Sequence, residues 1–168
     1  IFVVAMTYCK ISLAAKGVYQ TPADFISQSF VNVKAESKVL WLSKADKSIV
    51  ANILQHKFKR MRIRYWQANN ETVWILNEIG KEKPITIGVH INNNQIDNFK
   101  VLTFRESRGD EVRHEFFSEQ FINATLDDDI RLSKHIDGIT GATLSVRATK
   151  KVARLALWLH NKVVTETL

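Results

Sequence analysis

Two pairs of alternating segments, each joined by asparagines, most constrain what this chain can fold into. In the clearer pair, every second residue from Ile85 to Ile91 is a large aliphatic, and the run ends at the asparagines 92–94. A period of two places alternate side chains on opposite faces of a strand, and asparagine tolerates the left-handed backbone of tight turns. The pattern therefore predicts an antiparallel hairpin that returns through Ile96 to Phe104.

The other pair is more basic. Residues 60–66 and 72–79 flank Asn69-Asn70, so they predict a second hairpin. Its first strand alternates between arginines and apolar residues, which indicates a half-buried strand with one solvated basic face. The predicted inward positions are Met61, Ile63 and Tyr65, and the outward positions are Arg60, Arg62 and Arg64.

Helices are predicted on both sides of these strands. Thr21 followed by Pro22 is typical of a helix cap and the first helical residue, and Ala45 to Leu54 has apolar residues at helical spacing. We predict one α+β domain, with a mainly antiparallel sheet, flanking helices and a long C-terminal helix. The apolar stripe of that last helix, from Ser145 to about Val163, consists of Val152, Leu155, Ala156, Leu159 and Val163.

Composition limits the class of protein. The 168 residues suit a single domain, and Cys9, the only cysteine, cannot form an internal disulfide. Twenty-four Lys and Arg against 17 Asp and Glu leave nucleic acid, an anionic membrane surface and an anionic cofactor open as partners. Nucleic acid is the least favoured, because a nucleic-acid-binding protein more typically combines such charge with exposed aromatic residues or a recognition helix, whereas this basic stretch has the pattern of a solvated strand face. The five histidines are not spaced as metal ligands, and no catalytic set is recognisable, so we expect neither a metal nor catalytic residues.

The first residues have the pattern of an export signal. Residues 1–9 are mostly apolar, and Ser12-Leu13-Ala14 supplies the small residues that precede a signal-peptidase cut. We expect residues 1–15 to be the remnant of a signal peptide or an N-terminal anchor, with a short strand or helix of the fold as the alternative. The apolar run is shorter than the roughly 20 residues that a spanning helix needs.

The segment most suited to binding chemistry is residues 137–145, immediately before the long helix. Its sequence, DGITGATLS, combines two glycines with small and hydroxyl side chains. Glycine lets a backbone approach a ligand closely, and free N–H groups and the helix dipole favour an anion at a helix start. The alternative is an ordinary helix cap, with Ser145 or Thr143 as the N-cap residue. Neither a phosphate-binding Walker loop nor a dinucleotide fingerprint is present.

Asp137-x-x-Thr140-Gly141-Ala142-Thr143 resembles the flavinylation motif of the FMN-binding domain family. This family includes peripheral subunits of the sodium-pumping NADH:quinone reductase and of the Rnf complex. The resemblance implies that Thr143 carries FMN through a phosphoester bond, formed by a separate flavin transferase that uses FAD and Mg²⁺. The implied residues around the cofactor are Asp137, Gly138, Thr140, Gly141, Ala142 and Ser145.

The resemblance extends upstream and covers roughly residues 72–160. Glu106-Ser107-Arg108-Gly109 stands where the family usually has Glu-Thr-Pro-Gly, so Glu106, Ser107 and Gly109 are also implied cofactor contacts. We therefore assign residues 72–163 to the FMN-binding core and 16–71 to N-terminal helices and a first strand without a recognised motif. Four phenylalanines are candidates to cover the isoalloxazine, with core packing as the expectation for each: Phe104, Phe116, Phe117 and Phe121.

The function implied by this resemblance is electron transfer. We expect a flavoprotein domain with covalent FMN in a membrane-associated respiratory chain, at the periplasmic or extracytoplasmic face of the inner membrane. Its expected partners are the flavin transferase, redox proteins of the membrane or periplasm, and the membrane surface itself, but no nucleic acid. The alternatives are a domain that binds FMN without a covalent bond, and a flavin-dependent reductase component that acts on a quinone or a small molecule.

Overall fold

The structure, a computed structural model, describes residues 17–165, so the predicted leader at 1–15 and Cys9 lie outside the described residues. Five antiparallel strands form one sheet in the order β1-β2-β3-β4-β5. The strands are β1 (Glu36–Trp41), β2 (Arg62–Ala68), β3 (Glu71–Ile79), β4 (Pro84–Asn92) and β5 (Gln95–Thr103). The helices are α1 (Pro22–Ser29), α2 (Lys44–Leu54), α3 (Glu115–Ser118) and α4 (Thr143–Thr165), and 3₁₀ turns at Asp110–Arg113 and Glu119–Phe121 flank α3.

The structure confirms the predicted α+β class and both hairpins. Asn69 between β2 and β3 has φ 51°, and Asn93 and Asn94 between β4 and β5 have φ 49° and 63°. These left-handed turns let consecutive strands pair directly. All five strands belong to the same sheet. The segment before residue 72 is therefore built into the same domain as the rest of the described chain.

Strand β1 was not apparent from the sequence. It is an edge strand paired only with β2, and Leu40 is its one buried residue. A strand that buries a single side chain lacks the alternating hydrophobic pattern by which strands are recognised. The pairing with β2, rather than a local preference of residues 36–41, accounts for its extended backbone.

The basic strand begins and ends two residues later than predicted. Strand β2 begins at Arg62, and Ile63 and Tyr65 are buried while Arg62 and Arg64 are exposed, as expected. The inward assignment of Met61 is wrong, because its side chain is 55% exposed and precedes the strand. Its sulfur instead accepts a hydrogen bond from the Lys47 ammonium at 3.1 Å.

The main core lies between one face of the sheet and the helices α2 and α4. The predicted stripe of α4 is confirmed, since each of its five residues is at least 95% buried. It packs on aliphatic residues of β4 and on Trp74, whose ring stacks on Tyr65 with centroids 4.7 Å apart. Burial of an amphipathic stripe of this length is the main source of stability of such a helix.

Three polar contacts fix the position of α4. Lys151 and Lys162 of α4 form ion pairs with the buried Glu78 of β3 at 3.6 Å and with Asp46 of α2 at 3.1 Å. Burial acts to raise the pKa of Asp46, but hydrogen bonds from Ser43 and the Lys162 charge outweigh it, and the pKa is lowered.

The third contact involves His160, which is fully buried. Its Nδ1 lies 2.8 Å from Thr72 Oγ1, and its Nε2 lies 3.0 Å from Asn94 Oδ1. Trp74 Nε1 donates to the same Thr72 oxygen at 2.8 Å. These partners suit a neutral imidazole that carries its proton on Nε2 and accepts the Thr72 hydroxyl proton on Nδ1.

The opposite face of the sheet is covered in part by α1. Thr21 caps this helix by accepting the Asp24 backbone N–H at 3.1 Å, and Pro22 is its first residue, as predicted. Phe25 is buried against the sheet directly above Gly88 of β4. Among residues 17–165, no helix is both long and apolar enough to span a bilayer.

Gly88→Ala is expected to destabilise the fold by about 1–3 kcal/mol, because overpacking a close-packed site carries that cost. The added Cβ would lie 2.6 Å from a ring carbon of Phe25, so the ring and helix α1 would have to move. Urea unfolding measures the effect. Gly138→Ala is the matched control, since its Cβ would meet nothing within 4 Å; equal losses in the two variants would contradict the prediction.

Candidate functional site

The segment 137–142 forms an exposed loop that enters α4. Gln120 Oε1 accepts the backbone N–H of Asp137 at 2.7 Å, which fastens the start of the loop to the turn after α3. Ala142 is 2% exposed, and its N–H donates to the Ile139 carbonyl at 3.0 Å. Gly141 has φ +85°, a conformation in which a side chain would be strained. The loop is thus held at both ends, while its middle faces solvent.

Thr143 is the first residue of α4, and its side chain is exposed. It lines a cavity of about 290 Å³ together with Gly138, Ile139, Val146, Arg147 and Lys150. The first N–H groups of a helix lack partners within the helix and carry the positive end of its dipole. The hydroxyl of Thr143 therefore stands where a covalently attached phosphate would be stabilised.

Ser145 is not the N-cap residue of α4, which was one of its two predicted roles. Helix α4 already begins at Thr143, so Ser145 lies inside its first turn and is not the N-cap residue. Its side chain is 4% exposed and faces the loop after β5. Ser145 thus contributes to packing beneath Thr143 and not to the exposed surface of the site.

The upstream motif meets the attachment segment at Gly109. This residue has φ +87°, and a Cβ placed on it would lie 2.6 Å from Ser145 Oγ and 3.6 Å from the Ala142 Cα. Only glycine allows this close approach without strain. Two segments more than 30 residues apart in the sequence are therefore in contact at the start of α4.

Glu106 has a structural role in the turn between β3 and β4. Its Oε1 accepts the backbone N–H groups of Lys81, Glu82 and Lys83 at 2.7, 2.7 and 2.8 Å. The hydrogen bond from Lys83, with those from the other two amides, lowers the pKa of Glu106 against the opposing effect of burial. Glu106 and Ser107 line a cavity of about 460 Å³ that does not include Thr143 among its lining residues.

The phenylalanines divide into core and surface residues. Phe104, Phe117 and Phe121 are at most 3% exposed, in agreement with core packing. Phe121 also stacks on Phe99 with centroids 4.1 Å apart. Phe116 is 61% exposed and lies nearly parallel to the ring of His114, at 6.1 Å. Of the four candidates, only Phe116 offers an aromatic face at the surface.

Two lining residues of the Thr143 cavity, Ile139 and Val146, were not singled out from the sequence. Helical spacing does indicate Val146 and Arg147, because positions three and four residues after Thr143 lie on its face of the helix. Ile139 belongs to a loop, whose side-chain directions follow no period, and only the folded structure places it. Within residues 17–165, no three His, Cys, Asp or Glu side chains are grouped to hold a metal ion.

The chain forms a small α+β domain with an exposed threonine at the start of a helix, beside a cavity with two basic residues. Such a site is suited to a phosphate-bearing cofactor. Comparison with protein-family models identifies the cofactor class, because residues 80–157 match the family described as FMN-binding domain. Residues 80–157 are thus similar to FMN-binding domains, and this similarity indicates FMN as the cofactor. A search of curated proteins finds no significant match.

The residues at the site fit FMN. The Thr143 cavity presents apolar surface from Ile139 and Val146, which suits the flavin ring, and cationic groups from Arg147 and Lys150, which suit the phosphate. The open space around Gly138 and Gly141 leaves room for a bulky group beside the Thr143 hydroxyl.

Gly109→Ala is expected to lower the stability of the folded domain. An alanine in the left-handed backbone costs about 1–2 kcal/mol, and its Cβ would also lie 2.6 Å from Ser145 Oγ. Gly141→Ala shares the positive φ but would meet nothing within 4 Å, so it should cost less. Thermal unfolding of both variants measures the difference. Adding Ser145→Ala to Gly109→Ala removes the close oxygen and should recover part of the loss. No recovery, or a larger loss in Gly141→Ala, would contradict the proposed contact.

Proposed function

We propose that this chain is an electron-transfer flavoprotein domain that carries FMN through a phosphoester bond to Thr143. The single observation that carries the proposal is the exposed hydroxyl of Thr143 at the first residue of α4, within the matched family segment. When bound, FMN supplies the redox chemistry, and the protein supplies position and electrostatic surroundings.

The surroundings of Thr143 favour a phosphodiester. Such a bond retains one negative charge, which the N-terminal end of the α4 dipole stabilises. Arg147 lies one helical turn further on, on the wall of the same cavity, and its guanidinium can pair with a phosphate oxygen. Burial of Ala142 and Ser145 below the threonine holds the first turn of the helix in place.

Exposure of the motif supports attachment by a separate enzyme. The side chains of Asp137 and Thr140 are exposed, and that of Asp137 is 83% accessible. The Asp137 carboxylate and the Thr140 hydroxyl do not pack in the hydrophobic core. A flavin transferase can therefore contact both groups while it reaches Thr143. This accessibility favours covalent attachment over the alternative of a buried, non-covalent flavin.

We place the domain in a membrane-associated chain at the periplasmic or extracytoplasmic face, with a membrane or periplasmic redox protein as its partner. A phosphoester tether would keep the cofactor in a compartment where free flavin is scarce. Exposed arginines 62 and 64 on β2 offer a surface for an acidic partner or anionic lipid.

Co-expression with a flavin transferase tests the proposal. With the transferase, the purified chain should give a fluorescent band on a denaturing gel, and in its folded form the flavin absorbance should bleach with dithionite and return in air. Without the transferase, the band should be missing. Flavin that copurifies but leaves on denaturation would favour the non-covalent alternative. Turnover of a quinone or small molecule by the isolated chain would favour the reductase alternative.

A further inference from the structure

A basic cleft lies beside the Thr143 cavity, between α4 and the loop at residues 131–136. It has a volume of about 440 Å³, and six of the ten residues that line it are Lys or Arg. No Asp or Glu is among those described lining residues. The six cationic residues, here called the cleft cations, are Arg131, Lys134, Arg147, Lys150, Lys151 and Arg154.

Most of the cleft cations are positioned by other groups. Arg131 and Lys151 have carboxylate partners, Asp129 and Glu78, each at 3.6 Å. The side chains of Lys134 and Arg154 donate to main-chain carbonyls at 2.7 Å, contacts that hold them without neutralising their charge. Four of the six charges therefore have no carboxylate partner among the described residues, which leaves the cleft strongly positive.

Arg147 and Lys150 differ from the other four. In the part of the chain that the structure describes, neither side chain makes a hydrogen bond or an ion pair. Both also line the Thr143 cavity, so the two cavities share a wall. Their donors are thus available to an external anion at the junction of the two cavities.

The shape and the remaining lining select the class of ligand. A cavity of this volume lies within the range of small-molecule sites. Leu132, which is partly exposed, adds apolar surface against which a flat ring can pack. A single phosphate would leave most of the positive charge unmatched, so two or more phosphates fit better.

We propose that the cleft binds a small anion with two or more phosphates, of the nucleoside diphosphate class. Arg147 and Lys150 contact the phosphates, and the base packs on Leu132. Because Arg147 and Lys150 also line the Thr143 cavity, covalently attached FMN would compete with this anion for them, whereas Arg131, Lys134, Lys151 and Arg154 line the cleft alone. The proposal can therefore be tested on a chain that carries no covalent flavin.

Calorimetric titration of ADP into the full chain with Thr143→Ala, at low ionic strength, is the experiment. ADP should bind, adenosine should not, and Arg147→Gln with Lys150→Gln should weaken ADP binding about tenfold or more, because charge-assisted hydrogen bonds to phosphate are lost. Arg60→Gln with Arg64→Gln removes the same charge from a different surface and should leave the affinity unchanged.

Several results would overturn the proposal. One is equal weakening by the two double variants, which would indicate net charge alone. Others are no ADP binding at millimolar concentration, and tighter binding of FMN, of a polyglutamate peptide or of anionic phospholipid vesicles than of ADP. Covalent attachment of flavin is measured separately, as a fluorescent band of the parent chain on a denaturing gel. A lack of ADP binding would therefore not contradict attachment at Thr143, and a missing band would not contradict ADP binding.

Discussion

Thr143→Ala is expected to reduce the covalent flavin to background when the chain is co-expressed with a flavin transferase. The variant removes the one oxygen that the proposed phosphoester requires, and alanine offers no other nucleophile. Because the side chain is exposed, the free energy of unfolding should change by no more than about 0.5 kcal/mol. Loss of in-gel fluorescence with an unchanged unfolding curve would therefore report the chemistry and not the fold.

Thr140→Ala is the matched control for this variant. It removes a second exposed hydroxyl from the same loop, three residues away, and should retain covalent flavin even if attachment is slower. Thr143→Ser keeps a hydroxyl and should retain some attachment. A band of full intensity in Thr143→Ala, or its loss only in Thr140→Ala, would refute the assignment of Thr143.

Acidification from pH 7 to pH 5 is expected to remove about 2 kcal/mol of stability through His160, at about 1.4 kcal/mol for each pH unit below the unfolded pKa. Burial, with a smaller contribution from the charge of His90, lowers the pKa of His160 from 6.5 to about 4. Between these values the unfolded chain takes up a proton that the folded chain does not. Stability is therefore complete above pH 6.5 and is lost progressively as the pH falls towards 4.

Urea unfolding at pH 7 and pH 5 measures this effect in the native chain and in His160→Gln. The glutamine removes the titrating group and keeps an amide near Thr72 and Asn94, so the variant should be less stable at pH 7 but less sensitive to acid. His114→Gln replaces an exposed histidine and should keep the native pH dependence. An equal pH dependence in the native chain and in His160→Gln would contradict the role of this side chain.

Local patterns in the sequence predicted most of the fold. Alternation over residues 85–91 and asparagines at the turns were sufficient for two hairpins, because strand period and turn chemistry are properties of neighbouring residues. Strand β1 was missed because its extended form depends on pairing with β2. Met61 was misplaced because alternation alone does not say where a strand begins.

Part of the candidate site was also predicted from the sequence, and part was decided by the fold. The motif at residues 137–143 is a continuous stretch, so its glycines and hydroxyls were identified from the sequence, and its family is supported by the match at residues 80–157. The assignment of Glu106 and Ser107 to the same cofactor was an inference from their place in the chain. In the folded protein their cavity is separate from that of Thr143, and Glu106 holds a turn.

By itself, the sequence determined the α+β class, the long amphipathic helix and the FMN motif, because each depends on residues close together along the chain. Only the tertiary structure decided what lies around Thr143. It placed Gly109 against Ser145, aligned Arg147 and Lys150 along two adjoining cavities, and added Arg131 and Lys134 from a loop. Contacts between distant segments follow from how the helix packs on the sheet, and packing is a property of the whole domain.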